Sequence, residues 1–366
     1  MQNKENIFAR YHRQMILNGF GKEGQEKLKL GRVLVVGAGG LGCPALLYLV
    51  AAGVGSIGIV DHDMVSLSNL HRQVLYSEND IGHPKVSIAA KKLQMMNEMV
   101  SIIPYETKLT VSNCLEFFSN YDIILDGSDN FPTRYLINDA CVLTGKPLVY
   151  GAVSQYDGQV AVFNVNGGVN YRDLFPTPPK DGEVLNCAES GVLGVLPGII
   201  GSMQANETIK LITGIGESLV NRLYTFNALT MQSYDIQISA NPLSALLIPP
   251  DVESFNQKDY EWECGIATTD LEIDQKQFDK LLSENITVID VRNLDETPFI
   301  TSFDHHKIPL PVLQESFDEI SGETIVFICQ SGKRSLHAAQ MFREWSGSEK
   351  NIFSLKGGIL NYEPLI

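Results

Sequence analysis

Residues 31–53 read GRVLVVGAGGLGCPALLYLVAAG. The run Val33–Val36 is continuously apolar and rich in β-branched residues, the pattern of a strand covered on both faces. It breaks on Gly37, Gly39, Gly40 and Gly42 and resumes as an alanine- and leucine-rich helical stretch. A second apolar run, SIGIVDHD at 56–63, follows at once and stops on acids. Together they describe a βαβ unit of the length a right-handed crossover needs.

Further strands are expected in SIIPYETKL (101–109), YDIILDGSD (121–129) and PLVYGAV (147–153), with helical stretches such as PKVSIAAKKLQMMN (84–97) between them. This alternation predicts an α/β fold: a Rossmann-like, mainly parallel sheet with helices on both faces. After Gly158 the pattern changes to a strand-like GQVAVFNV, an irregular YRDLFPTPPKDGE and a long helical ESGVLGVLPGIIGSMQANETIKLITG. The stretch beyond Asn241 shows neither helical nor strand period, so a first domain is placed at 1–245 and a linker at 246–269. A second, small α/β domain is expected at 270–366, in the order helix, strand, strand, helix, strand.

At 366 residues the chain exceeds what one core usually organises, and two domains fit that length. With 44% hydrophobic and 19% charged residues it is of ordinary globular composition. A net charge of −15 argues against nucleic acid and against anionic membranes as partners. No apolar run approaches the roughly 20 residues of a membrane span, and the N-terminal stretch lacks a signal-peptide core, so a cytoplasmic location is expected. The six cysteines are scattered without a CxxC pair, which disfavours a disulfide framework.

The glycines at 37, 39, 40 and 42 sit at a strand-to-helix junction, where absent side chains let a phosphate approach backbone amides. Asp61 ends the next strand, where an acid accepts hydrogen bonds from ribose hydroxyls. Just beyond it, NLHRQVL and GHPK supply Asn69, Arg72 and Lys85. Charge-assisted hydrogen bonds from such a set suit a triphosphate better than a nicotinamide, which needs apolar walls. Two alternatives stand beside this: an NAD(P)-dependent oxidoreductase using the same loop, and a non-catalytic scaffold.

The segments RYHRQ, GAGGLGCP, DxDxVSxSNLxRQ, GHPK and LDGSDNFPTRYLIND resemble the signature segments of the ThiF/MoeB/HesA family, relatives of ubiquitin-activating enzymes. The resemblance runs from about Ala9 to Ala240. It implies ATP and Mg2+ as cofactors, with Asp61 on the ribose, Asn69, Arg72 and Lys85 on the phosphates and Asp129 on the metal. It further implies a homodimer in which Arg13 reaches the neighbouring subunit's ATP. The implied reaction is adenylation of the C-terminal glycine carboxylate of a ubiquitin-like sulfur-carrier protein ending in Gly-Gly. Asp126 is a reserve metal ligand. Cys187, in LNCAESGVLG, matches the family cysteine before the long helix, as a nucleophile or resolving thiol.

The family commonly holds a structural zinc in two CxxC pairs. Here those positions carry Asn170 and Asp173, then Glu261 and Cys264, so no structural zinc is expected.

Finally, Cys329-Gln330-Ser331-Gly332-Lys333-Arg334-Ser335 lies between an expected strand and helix, where successive amides can curl around the sulfur. Lys333, Arg334 and the helix N-terminus favour a thiolate or persulfide there. With VIDVRNLDE before it and LKGGI after it, Asp270–Ile366 resembles a rhodanese domain. The Cys-loop phosphatases place arginine after five intervening residues, whereas four separate Cys329 from Arg334. The resemblance implies sulfur transfer through Cys329, a persulfide donor such as a cysteine desulfurase, and a pathway to molybdopterin, thiamine or thiolated tRNA. Asp290 and Arg292 are expected to support the fold, and His305 and His306 to be exposed.

Overall fold

The computed structural model describes residues 2–179, 191–258, 260, 271–284, 286–347 and 350–362, the side chains of 2–8, 333, 344 and 361 excepted. The chain divides into two compact units, Met1–Cys264 and Gly265–Ile366.

In the first unit, β1 (Arg32–Val36), β2 (Ser56–Asp61), β3 (Ser101–Glu106), β4 (Ile123–Asp126) and β5 (Leu148–Ser154) are followed by β6 (Asp157–Phe163), β7 (Arg222–Asn227) and β8 (Ser233–Gln237). They form one sheet of order β3-β2-β1-β4-β5-β6-β7-β8. The first five are mutually parallel and the last three antiparallel. Alternate residues of β1 point to opposite faces. Val33 and Val35 join one core with Leu46, Leu49 and Ile57, whereas Leu34 and Val36 join another with Phe118, Tyr121 and Tyr135. This double burial is why the strand reads as an unbroken apolar run, and each such side chain contributes about 1.5–3 kcal/mol. The strand order reverses between β1 and β4, which opens a crevice at the carboxyl ends of the strands.

Three features of this unit depart from the sequence reading. β7 and β8 form where no strand was expected, and the irregular 171–183 stretch begins with a short helix, Tyr171–Leu174. The 246–269 stretch contains the helix Val252–Asn256, capped by Asp251, whose side chain accepts the Ser254 amide. Its Phe255 is fully buried in the first unit's core beside Tyr260.

The second unit carries β9 (Glu272–Ile273), β10 (Thr287–Asp290), β11 (His306–Lys307), β12 (Thr324–Ile328) and β13 (Asn351–Leu355) in the order β11-β10-β12-β13-β9, all parallel. Helices Gln275–Leu282 and Lys333–Ser346 flank the sheet, and Cys329 follows β12 directly, at its carboxyl end.

Candidate functional site

The glycine loop joins β1 to the helix Gly42–Ala52. Gly37 has φ +94°, and a Cβ on Gly42 would lie 1.9 Å from the Gly37 carbonyl oxygen, so only glycine closes the turn this tightly. Asp61, half-buried at the end of β2, ties to the loop: its Oδ2 accepts the Ala38 amide at 2.8 Å and its Oδ1 the Asp63 amide at 2.8 Å.

Lys85 opens the helix Lys85–Met96. Its side chain is 5% exposed, and its Nζ donates to Asp63 Oδ2 at 2.7 Å. Tyr76 links it back to the loop, its hydroxyl donating to the Ala38 carbonyl at 2.9 Å and lying 3.3 Å from that of Lys85. Arg72 donates to Asn69 Oδ1 at 3.0 Å, and Asn69 donates to Ser66 Oγ at 2.7 Å. The Arg72 Cδ lies 3.6 Å from where a Cβ on Gly40 would stand. Gly37, Gly39, Gly40, Gly42, Asp61, Asn69, Arg72 and Lys85 are therefore one connected group at the mouth of the sheet. Gln73, given no role in the sequence reading, belongs with them: it is buried, with its Nε2 3.6 Å from a Cβ position on Gly39. Its place next to Arg72 in the NLHRQ segment was the available signal.

Two acids stand at and just beyond the end of β4. Asp126 is buried, its Oδ1 accepting the Ser128 amide at 2.8 Å and hydroxyl at 2.6 Å. Burial raises its carboxyl above the usual range. Asp129, three residues on, is exposed.

Arg13 is not part of this group. It lies exposed on the helix Gln2–Met15, which is fixed at the opposite end of the Gly42–Ala52 helix. There Gln14 donates to the Ala52 carbonyl at 2.9 Å, and Tyr11 accepts from Asn97 at 2.7 Å. Cys187 lies outside the described residues, as do Glu261 and Cys264.

At two positions of the family's zinc pairs, Asn170 caps the helix Tyr171–Leu174, and Asp173 Oδ2 accepts the Asn170 amide at 2.8 Å. The other Asp173 oxygen accepts the Asn241 amide at 2.7 Å and the Ser244 hydroxyl at 2.6 Å. Nearby, the buried Arg172 pairs with Asp139 through two bonds of 2.7 and 2.8 Å, and Tyr260 adds a third donor at 2.9 Å. Among the described residues here, the Asp173 and Asp139 carboxylates are taken up by protein hydrogen-bond donors.

In the second unit, the loop after β12 folds around a buried sulfur. Cys329 Sγ accepts the Gly332 amide at 3.2 Å and lies 3.4 Å from the Ser335 hydroxyl. Gly332 has φ +89°, and a Cβ there would stand 2.7 Å from the Gly357 nitrogen, which explains the LKGG turn packed beneath it. Arg334 forms a bidentate pair with Glu296 at 2.6 and 2.7 Å. Asp290 and Arg292 form a buried pair, bonded at 2.8 and 2.9 Å, as a supporting role requires. His306 is exposed, and His305 is half-buried against the Phe303 carbonyl.

Residues 11–245 match the ThiF family and residues 274–364 the rhodanese-like domain. The sulfur carrier protein adenylyltransferase of Thermus thermophilus is 51% identical over 262 residues, 70% of this chain and 96% of that protein. The adenylyltransferase and sulfurtransferase MOCS3 of Arabidopsis thaliana is 40% identical over 390 residues, covering 97% of this chain and 84% of its own. Among solved structures, Escherichia coli MccB superposes with a TM-score of 0.56 at 20% identity, over 63% of this chain and 74% of that one, a likeness of fold alone. No helix among the described residues is long and apolar enough to cross a membrane.

Proposed function

The chain belongs to the ThiF family and carries a rhodanese-like domain, and on that premise we propose that it uses ATP to adenylate the C-terminal glycine carboxylate of a ubiquitin-like sulfur carrier, then delivers sulfur through Cys329. The observation that carries this reading is the connected group of Asp61, Asn69, Arg72 and Lys85 around the glycine loop. Asp61 holds the ribose, Arg72 and Lys85 neutralise the phosphates, and Asn69 donates a hydrogen bond to them. The carboxylate oxygen bonds to the α-phosphorus as the bond to the β-phosphate oxygen breaks, and pyrophosphate leaves with the electron pair. Bringing two anions together is the main difficulty, and preplaced cations in a shielded crevice reduce it. Asp63 is bonded to Lys85 Nζ, so a phosphate competes with one exposed carboxylate for that ammonium. Mg2+, bound through Asp129 with its own waters, would add charge neutralisation at the phosphates.

The second half-reaction is attack of a Cys329 persulfide on the acyl carbon, with AMP leaving. Cys187 or an external thiol then attacks Cys329 Sγ; the Sγ–S bond breaks, the thiocarboxylate leaves with the electron pair, and the disulfide left on Cys329 is reduced by further thiol. Arg13 belongs to a composite site in a homodimer, and a cysteine desulfurase is the kind of protein that would load Cys329. Whether the carrier serves molybdopterin, thiamine or tRNA thiolation is decided by which carrier the first site accepts.

The test is carrier-dependent ATP–pyrophosphate exchange with a panel of Gly-Gly-ending carriers. Exchange with at least one, lost in Lys85→Ala, is expected. Nicotinamide binding without exchange overturns the reading in favour of an oxidoreductase, and carrier binding with neither activity in favour of a scaffold.

A further inference from the structure

Cys329 Sγ is buried, and a charged sulfur without water needs donors from the protein. The Gly332 amide is one. The geometry points to Ser335 as the second, and so as a further catalytic residue of the sulfur-transfer site, its hydroxyl stabilising negative charge on Sγ. This rests on Cys329 carrying sulfur, as proposed above.

Ser335 is fully buried, and its single hydroxyl proton faces two acceptors: the Gly332 carbonyl at 3.0 Å and Cys329 Sγ at 3.4 Å. With a neutral thiol, the nearer carbonyl takes the proton. With a thiolate, a charge-assisted bond is the stronger, and the proton turns to sulfur. Ser354 makes this turn inexpensive. Also fully buried, on β13, it donates its one proton to Ser335 Oγ at 2.9 Å, which leaves the Ser335 proton free to turn to sulfur. The result is a two-serine relay that ends on the reacting sulfur.

Among the described side chains, the charged and titratable groups on the surrounding elements include Asp290 and Arg292 at and beyond the end of β10, Glu296, Arg334, His337 and Arg343, and Lys356 after β13. Arg292 is bonded to Asp290 and Arg334 to Glu296, so both guanidinium groups are committed to carboxylates. The hydroxyl and the amide are therefore the donors bonded directly to Sγ among the described residues.

Thiosulfate is a probe of the loading step. The Cys329 thiolate attacks its outer sulfur; the Sγ–S bond forms, the donor S–S bond breaks, and sulfite leaves with the electron pair, with no net oxidation. The full-length chain is titrated by thiolate ultraviolet absorbance, with the titration of Cys329→Ser subtracted, and Cys329 persulfide is followed by mass spectrometry. Ser335→Ala is expected to raise the Cys329 midpoint by about one pH unit, the loss of one hydrogen bond to the charged form, and to slow loading about tenfold at neutral pH. Ser335→Thr should restore both, and Ser354→Ala, which leaves the loop intact, should move the midpoint the same way by less. A wild-type midpoint in both alanine variants overturns the inference, and if Ser335→Ala does not fold, Ser354→Ala decides alone. If the wild-type chain takes no sulfur at Cys329, the proposed sulfur role fails, while the titration still decides the role of Ser335.

Discussion

Two Arg334 nitrogens hold the Glu296 carboxyl down at about 2, against partial burial, which pulls the other way. A carboxylate more acidic in the folded state stabilises the fold above its unfolded pKa of about 4.3 and loses that contribution as pH falls through the folded value. The second unit should therefore weaken between about pH 4.5 and 2. Glu296→Gln should cost about 1 kcal/mol at neutral pH, solvent screening considered, and nothing at the acid end of that window. Melting followed by Trp345 fluorescence in a Trp262→Phe background reads this, and a constant difference across the window contradicts it. The Asp290–Arg292 pair was legible in the sequence, because VIDVR places the partners two residues apart. Glu296 and Arg334 are 38 residues apart, and nothing local joins them. Gln73 escaped notice for a related reason. A glutamine in a polar segment reads as solvated until the chain turns back onto Gly39.

At the scale of elements, the parallel half of the first sheet was readable because strands buried on both faces carry unbroken apolar runs. β7 and β8 were not. β8 is exposed along its whole length and exists through backbone pairing with β7, which leaves little mark on side-chain pattern. The five-residue helix Val252–Asn256 is too short to show a period, yet Phe255 and Tyr260 draw it into the core. The same region holds the Asp139–Arg172–Tyr260 network beside the positions of the family's zinc pairs. Asp139 and Arg172 are both almost fully buried, so removing one charge strands the other. Asp139→Asn is expected to destabilise the first unit by about 3 kcal/mol. Asp139→Asn combined with Arg172→Met should recover part of that loss, because the stranded charge is gone. EDTA should leave the wild-type melting temperature unchanged. A large drop with EDTA, or a double variant worse than the single one, removes the view that side chains do the work of a metal here.

At the scale of the whole molecule, the position of Arg13 separates two kinds of active site. Its helix is anchored at Ala52 and Gly53, whereas the glycine loop lies at the other end of the same eleven-residue helix, about 16 Å away by helical rise. An arginine held there serves ATP more readily in a second copy of the chain than in its own, which is the composite arrangement proposed for the homodimer. Complementation decides between them. Arg13→Ala and Lys85→Ala should each abolish carrier-dependent exchange, by 100-fold or more if each supplies a transition-state contact of about 3 kcal/mol. When the two variants are mixed in equal amounts and allowed to exchange subunits, about half the dimers are mixed. In trans, each mixed dimer contains one site with Lys85 from one chain and Arg13 from the other, and one site with neither. About a quarter of wild-type activity should therefore return. In cis, every site in a mixed dimer lacks one of the two residues, and none returns. The outcomes differ by the whole signal, and recovered activity also shows that subunits associate, since a monomer cannot complement.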